Sequence, residues 1–504
     1  MNSFLHHFKG ATAFVFLFLA GAIQAQTYDA DALRLAQPDL YGTARSLGAG
    51  AAFSSVGADP SALAINPAGL GLYRSHEIAL SLGYGFGSTA NQFLNENTSA
   101  GYNKFDLPQA SIIFTSGTIR KAKRGVSFEN TGSKLERVSF GLGYTRIADF
   151  KQITSFAGTN TNNSLAGALA RELQPYIQNG RPITLDNASI IDNLAWYNLV
   201  VDTLGTGSVY PLYYLPVKQS GKVTTAGSLS SVDLALGFNI SDKVYVGVGI
   251  GIPILSYNRT FSFTETNPHD SVSFPQNYTL TYQYKMSGAG VNGKFGLIVK
   301  PSQWFRLAAA VQTPSYFKIT ENTVGQLVNN FPTYYYDTTY ESYFQYAYYL
   351  PTRFTAGGSV YFKQYGFLSV DYQLDDYSHS RFSGDNSFDA VNTVIRAKYR
   401  AASSVKVGAE FSWKSLRLRG GFAWMQSPFK SGVAVAGADN SRMNYSAGIG
   451  YRGKSFFVDM AYVYSTSTAY FAPYAESKNE PGVITKTRNN LLMATIGFKF
   501  GRKP

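Results

Sequence analysis

Alternation with period two, held for about ten residues at a time and renewed along the chain, sets the architecture here. In 231–240, Val232, Leu234, Leu236, Phe238 and Ile240 alternate with Ser231, Asp233, Ala235, Gly237 and Asn239. In 366–375, Leu368, Val370, Tyr372 and Leu374 alternate with Ser369, Asp371, Gln373 and Asp375; in 442–451, Met443, Tyr445, Ala447, Ile449 and Tyr451 alternate with Arg442, Asn444, Ser446, Gly448 and Gly450. A strand sends successive side chains to opposite faces, so each segment reads as a strand with one apolar face. Soluble sandwiches share this period, and the connections separate the two cases.

Strand candidates fall near 76–86, 107–116, 136–148, 229–241, 243–258, 278–299, 303–318, 340–362, 365–376, 391–413, 415–427, 440–452, 455–466 and 486–500, fourteen in all. Short links (Ser241-Asp242-Lys243, Pro301-Ser302, Lys363-Gln364, Lys414, Gly453-Lys454) alternate with long ones (87–106, 149–228, 259–277, 319–339, 377–390, 428–439, 467–485). Only 117–135, with Arg120-Lys121-Ala122-Lys123-Arg124, is long where a short link is due. Short turns at one end and long loops at the other are the pattern of an outer-membrane barrel. The expected fold is therefore all-β: a transmembrane antiparallel β-barrel of about fourteen strands.

Composition agrees. Charged residues are 15% of the chain, against roughly 25% in soluble domains, while aromatics reach 15% and cysteine is absent. Stability without disulfides must then come from backbone pairing and packing. The net charge of +13 is spread over strands and turns rather than gathered on one face, so nucleic-acid binding is not expected. Lys9 followed by the apolar run Ala11–Ala22 and by Ala25 reads as a signal peptide over 1–25. Beyond it no apolar run is long enough for a membrane-spanning helix. The final strand places Leu492, Ala494, Ile496, Phe498 and Phe500 on one face, which resembles the C-terminal signal of outer-membrane proteins, with Gly501–Pro504 added after it.

Motifs for catalysis or cofactors fail on context. Gly288–Lys294 matches GxxxxGK, but Phe295 stands where Ser or Thr must reach magnesium and no helix follows. Gly448–Gly453 matches GxGxxG across a strand and a hairpin turn. His76, His269 and His379 are far apart, and no GxSxG is present. The reading is of a non-enzyme with no cofactor and no metal. Charges on the alternating polar face belong in the lumen, because the lipid face makes them costly. Asp233, Arg306, Arg353, Asp371, Asp375, Lys406, Glu410, Arg417, Arg419, Arg442, Asp459 and Lys499 fall there. They line either a wet pore or a lumen filled by the Ala-, Gly- and Ser-rich segment 26–75.

Residues 42–73, GTARSLGAGAAFSSVGADPSALAINPAGLGLY, resemble the N-terminal hatch of the long-chain fatty-acid transporter family (FadL/TodX-like). Ser46-Leu47-Gly48-Ala49-Gly50, Gly57-Ala58-Asp59 and Asn66-Pro67-Ala68-Gly69 carry the likeness. Later pieces follow in order: Val291–Gly296 with Trp304-Phe305-Arg306, Leu350–Phe354 with Ser369–Tyr372, and Val407–Phe411 with Arg419–Phe422. The resemblance implies a fourteen-stranded barrel (76–504) closed by a hatch (26–75), the Asn66, Pro67, Ala68 and Gly69 motif holding it, and Asp233, Arg306, Arg353, Asp371, Glu410, Arg419 and Arg442 meeting it. It implies energy-independent uptake of fatty acids or aromatic hydrocarbons, released sideways into outer-membrane lipid by a monomer. The insertion 149–228 departs from the family. Apolar spacing predicts helices over 164–178 and 187–204 there. They form either a self-packed cap or a reception surface made by Trp196, Tyr197, Leu199, Val200, Tyr213, Tyr214 and Leu215. Other readings are a scaffold barrel for exported proteins and a haem or siderophore receptor. The short plug and sparse histidines count against the receptor.

Overall fold

The computed structural model describes residues 28–116, 135–184, 188–204, 207–268, 275–333, 335–384, 388–476 and 479–501. The signal segment 1–25, the basic cluster 120–124 and His269 lie outside them. Fourteen staves form one closed antiparallel sheet. They are β1 (His76–Phe93), β2 (Glu96–Thr115), β3 (Leu135–Asp149, resumed at Gln152–Asn160), β4 (Val217–Ile240), β5 (Val244–Thr266), β6 (Asn277–Ser302) and β7 (Phe305–Gln312, resumed at Ser315–Asn330). Then follow β8 (Tyr335–Leu350, resumed at Arg353–Tyr361), β9 (Gly366–Asp376), β10 (Ala401–Trp413), β11 (Leu416–Met425), β12 (Arg442–Arg452), β13 (Phe456–Phe471) and β14 (Val483–Phe500). β14 closes on β1 from His76↔Phe500 to Phe93↔Val483. Closure matters because lipid offers no hydrogen-bond partner to an open edge.

The alternation does what the sequence requires of it. Ile78, Leu80, Leu82 and Tyr84 of β1 and Val248, Ile250, Ile252 and Ile254 of β5 point outward and are exposed. Asp233, Asp371, Lys406 and Asp459 point inward and are buried. Trp304, Phe362, Tyr365 and Trp413 ring the short-turn end, the position of an interfacial aromatic girdle. No described helix is long and apolar enough to cross a membrane; strands make the crossing. The molecule is an outer-membrane barrel.

Several boundaries differ from expectation, each for a physical reason. The supposed loop 87–106 is a hairpin turning at Leu94-Asn95, with Phe93 paired to Glu96. Its strands carry polar residues on both faces, so a search for one apolar face passes over them. The same holds for 259–266 and 319–330. The excursion placed at 149–228 is shorter, 161–216, because β3 resumes at Gln152 and β4 begins at Val217. Residues 391–400 are not strand: α6 (Phe388–Lys398) forms there, burying Val391 and Ile395 one turn apart. In the excursion, α4 (Leu165–Gln178) starts at Ser164, whose side chain accepts from Gly167 N–H. α5 (Ile190–Tyr197) starts at Ser189 with a reciprocal capping box to Asp192. α5 stops well before 204 because Leu199 takes φ +55° and a small hairpin, Val201–Thr203 with Val209–Pro211, follows.

Ile250 lies mid-way along the apolar run of β5 and is 56% exposed, so it faces lipid. Ile250→Arg should cost about 2–4 kcal/mol of stability in bilayers, whereas Ser256→Arg, beyond that run, should cost at most about 1 kcal/mol. Urea titration in phospholipid vesicles checks both. Equal effects would contradict this membrane placement.

Candidate functional site

Inside the ring lies residue segment 28–75: α1 (28–36), α2 (Ala44–Gly48), α3 (Ala62–Ile65) and a 3-10 turn, Pro67–Leu72. Glycines on the inner wall let its backbone touch the strands. A Cβ on Gly247 would collide with Pro67 and Ala68, one on Gly408 with Ala49, and one on Gly421 with Gly50. Asn66 donates to Ser54 O at 2.9 Å and accepts Ala68 N–H at 3.1 Å, while Pro67 opens the 3-10 turn with its fixed φ. Ala68 and Gly69 are buried behind it. A side chain on Gly296 would strike Asn66 itself.

Five of the seven lumen charges singled out from the sequence touch this segment. Asp371 accepts Ser54 N–H at 2.8 Å and its hydroxyl at 2.6 Å. Arg306 donates to Val56 O at 2.6 Å, and Arg353 to Tyr41 OH at 3.2 Å. Arg442 pairs with Asp39 at 2.7 Å, and Glu410 with Arg45 at 3.2 Å. Arg419 acts one step away, bridging Glu410 and Asp459 at 2.7 Å each. Asp233 makes no such contact; it faces the lumen but pairs with Lys294 at 2.5 Å. Its expected meeting with the hatch fails because Lys294 of β6, reaching across β5, supplies the cation first. The Arg419, Glu410 and Asp459 charges are buried and need partners, and removing one partner of such a pair costs about 3–5 kcal/mol.

One seam in the wall is not closed by backbone. β2 and β3 pair only from Gln109↔Thr145 to Thr115↔Ser139. Pro108 has no N–H to donate, and the β1–β2 register shifts between Ser81 and Gly83 beside it. β3 has its own irregularity between Arg146 and Ala148, then bends inward. Its continuation packs behind β1, with Phe156 4.9 Å from Phe93 and Thr89 donating to Ile153 O at 2.7 Å. Asp39 takes up backbone groups near the bend: its N–H donates to Ile147 O at 3.0 Å and its carboxylate accepts Asp149 N–H at 2.9 Å.

A cavity of about 740 Å³ lies above the inner segment and reaches both lips of this seam. Lys104, Asp106 and Pro108 line it from β2, and Arg146, Ile147 and Phe150 from β3. Leu40, Phe429, Val463 and Leu491 give it apolar wall, while Asp39 and Arg442 make one side polar. Nothing in the alternation pointed to Phe429 or Asp39, since both belong to segments without a period.

The excursion 161–216 caps the barrel. Glu265 of β5 anchors it: the carboxylate accepts Leu165 N–H at 2.7 Å and Ala166 N–H at 3.3 Å, from the first turn of α4. The seven loop residues expected to receive ligand do not share a groove and none lines the cavity, Val200 being buried in the cap core. Tyr213 is buried, its hydroxyl 2.6 Å from Asn329 and its ring against Tyr278; Trp196 packs into the cap core. Leu199 is half-buried, Tyr197 donates to Ile183 O at 3.1 Å, and Tyr214 and Leu215 stay exposed. Mutual packing of the helices consumes the apolar surface that a receiving groove would need.

No protein-family model and no curated protein matches the sequence. Solved structures do match. A Pseudomonas aeruginosa FadL homologue shares 13% identity over 91% of this chain and 98% of its own, with a TM-score of 0.54. The Pseudomonas putida toluene transporter TodX shares 12% over 92% and 100%, with a TM-score of 0.53. What these establish for the chain is its FadL-type fold.

Two outcomes follow. Gly408→Leu should push the inner segment off the wall and admit polar solutes; liposome swelling by a trisaccharide should rise, and unchanged swelling would deny the wedge. In the cap, burial and the neighbouring Asp192 carboxylate raise Glu172 from 4.5 to about 7. The protonated form is thus favoured by the folded cap. That stabilisation is complete below 4.5 and is lost as pH rises through about 7. Proteolysis within 161–216 should accelerate from pH 5 to pH 8, and Glu172→Gln should flatten the profile; a wild-type profile already flat would contradict this.

Proposed function

We propose that this barrel is a passive outer-membrane uptake channel for hydrophobic small molecules, long-chain fatty acids or aromatic hydrocarbons, with segment 26–75 as its hatch. One observation carries the reading: the cavity ends at an unpaired seam in the wall, while below it the hatch backbone is pressed onto wall glycines. A ligand in the cavity therefore has a sideways exit and no open floor. Transfer from a watery lumen to hydrocarbon is favourable by roughly 0.8 kcal/mol per CH₂, so no energy source is needed. The proteins named FadL homologue and toluene transporter share this fold, which supports the reading at the level of a channel.

A haem or siderophore receptor fits less well. His76 sits at the rim, accepting from Thr115 N–H at 3.0 Å, and His379 is exposed beside Asp376; neither lines the cavity. A sealed scaffold barrel would have no use for the cavity.

Expression in a host lacking its own long-chain fatty-acid transporter should confer uptake of labelled oleate. Filling the cavity with Val463→Trp and Leu491→Trp should lower uptake at limiting oleate by about tenfold, the effect of about 1.4 kcal/mol of lost binding. Undiminished uptake by the correctly assembled variant would overturn the role given to the cavity.

A further inference from the structure

The seam is shut by charge. Where β2 and β3 part, Lys104 Nζ stands 2.9 Å from Asp149 Oδ1, and Arg146 Nη1 stands 3.2 Å from Asp106 Oδ2. Both pairs cross from one lip to the other, at positions where a wall strand would ordinarily offer backbone hydrogen bonds. Arg146 is also 3.2 Å from Asp149, so the pairs form one connected group with no net charge.

Their inward aim has a local cause. Below Pro108 the odd residues Gln109, Ser111 and Ile113 of β2 are buried; above it the even residues Tyr102, Lys104 and Asp106 are the less exposed, and Phe105 is 73% exposed. The irregularity at Leu107-Pro108 thus reverses the strand's phase and turns two charges toward β3. The Arg146/Ala148 irregularity does the same from the other side. Phe105 and Leu107 are left on the outer surface, so the lip is apolar outside and charged inside.

We propose that Lys104–Asp149 and Asp106–Arg146 form an electrostatic latch across the β2–β3 seam, whose parting is the gated step of lateral release. The inference rests on the uptake reading above and assigns its gate to four residues. Several features suit a latch rather than a permanent weld. The lysine and arginine keep 23% and 22% side-chain exposure toward the cavity, so water can solvate them when the pairs part. Asp106 Oδ1 and Arg146 Nε have no hydrogen-bond partner among the described residues, so the group is incompletely satisfied when closed. Ion pairs of this partly exposed kind are weakened by salt, whereas a ladder of backbone hydrogen bonds is not. Asp39 joins the latch to the hatch: it accepts Asp149 N–H and also holds Arg442 on the far side of the cavity. A ligand that crowds Asp39 and Arg442 thereby disturbs the residue that positions Asp149.

The experiment uses oleate uptake by intact cells, with folding checked by heat-modifiable migration. Exchanging the charges for apolar groups on both lips (Lys104→Met, Asp149→Leu, Asp106→Leu, Arg146→Met) should raise uptake severalfold. It should also abolish the rise that wild type shows between low and high sodium chloride. The swap Lys104→Asp with Asp149→Lys should restore wild-type rate and salt response. Because the chain has no cysteine, Lys104→Cys with Asp149→Cys can be bridged by a cleavable dithiol-reactive linker; bridging should stop uptake and cleavage should restore it. Uptake that persists in the bridged protein would overturn lateral release and the latch with it. Uptake stopped by bridging, combined with a wild-type rate and salt response in the apolar variant, would overturn the latch and leave lateral release standing.

Discussion

Every backbone N–H and C=O that faces lipid must find a partner within the protein, and the barrel's organisation follows from that demand. Closure of β14 onto β1 meets it around the ring. The place where the demand is relaxed is therefore informative. Between β2 and β3 the ladder stops at Gln109↔Thr145, and Pro108 removes the donor that would have continued it. The chain meets the shortfall with substitutes: ion pairs between the lips, and Asp39 from the inner segment on the backbone of Ile147 and Asp149. A wall that gives up backbone pairing for side-chain contacts at one position, next to a cavity, has a built-in way to part there.

The inner segment obeys a different constraint, close packing. Its backbone reaches the wall because Gly247, Gly408 and Gly421 present no side chain. Polar atoms trapped by that approach are met by Asp371, Arg306 and Thr495, the last accepting Ala44 N–H at 2.8 Å. The inner segment and the strands thus share one hydrogen-bond network, and the floor is held in place by many contacts rather than by one lock.

Much of this was legible in the sequence, and the illegible parts share a reason. Wherever one face of a strand meets lipid, as at Leu234, Leu236 and Phe238, alternation located it within a few residues. Strand ends beyond the lipid, such as 87–93, have polar residues on both faces and lost the signal. The lumen charges were readable because charge and inward phase coincide, yet phase does not choose a partner, and Asp233 found Lys294 instead of the inner segment. The caps at Ser164 and Ser189 emerged only in the structure, since apolar spacing locates a helix but not its first hydrogen bonds. The seam was likewise hidden: Pro108 was visible, but its effect depends on the opposing irregularity at Arg146, and two strands far from each other in phase cannot be compared by period alone. The apolar spacing over 164–178 marked a real helix and that over 187–204 only its first half, while what covers those residues is a tertiary matter that spacing does not encode.

The central claim is that a hydrophobic ligand occupies the cavity and departs between β2 and β3. A long-chain fatty acid carrying a photoactivatable diazirine near its tail, cross-linked in native membranes and mapped by peptide mass spectrometry, addresses it directly. Adducts should concentrate on the cavity wall and seam lips, at Pro108, Ile147, Phe150 and Val463. Adducts confined to the exposed cap residues Tyr214 and Leu215, or to the floor around Gly247 and Gly408, would contradict it.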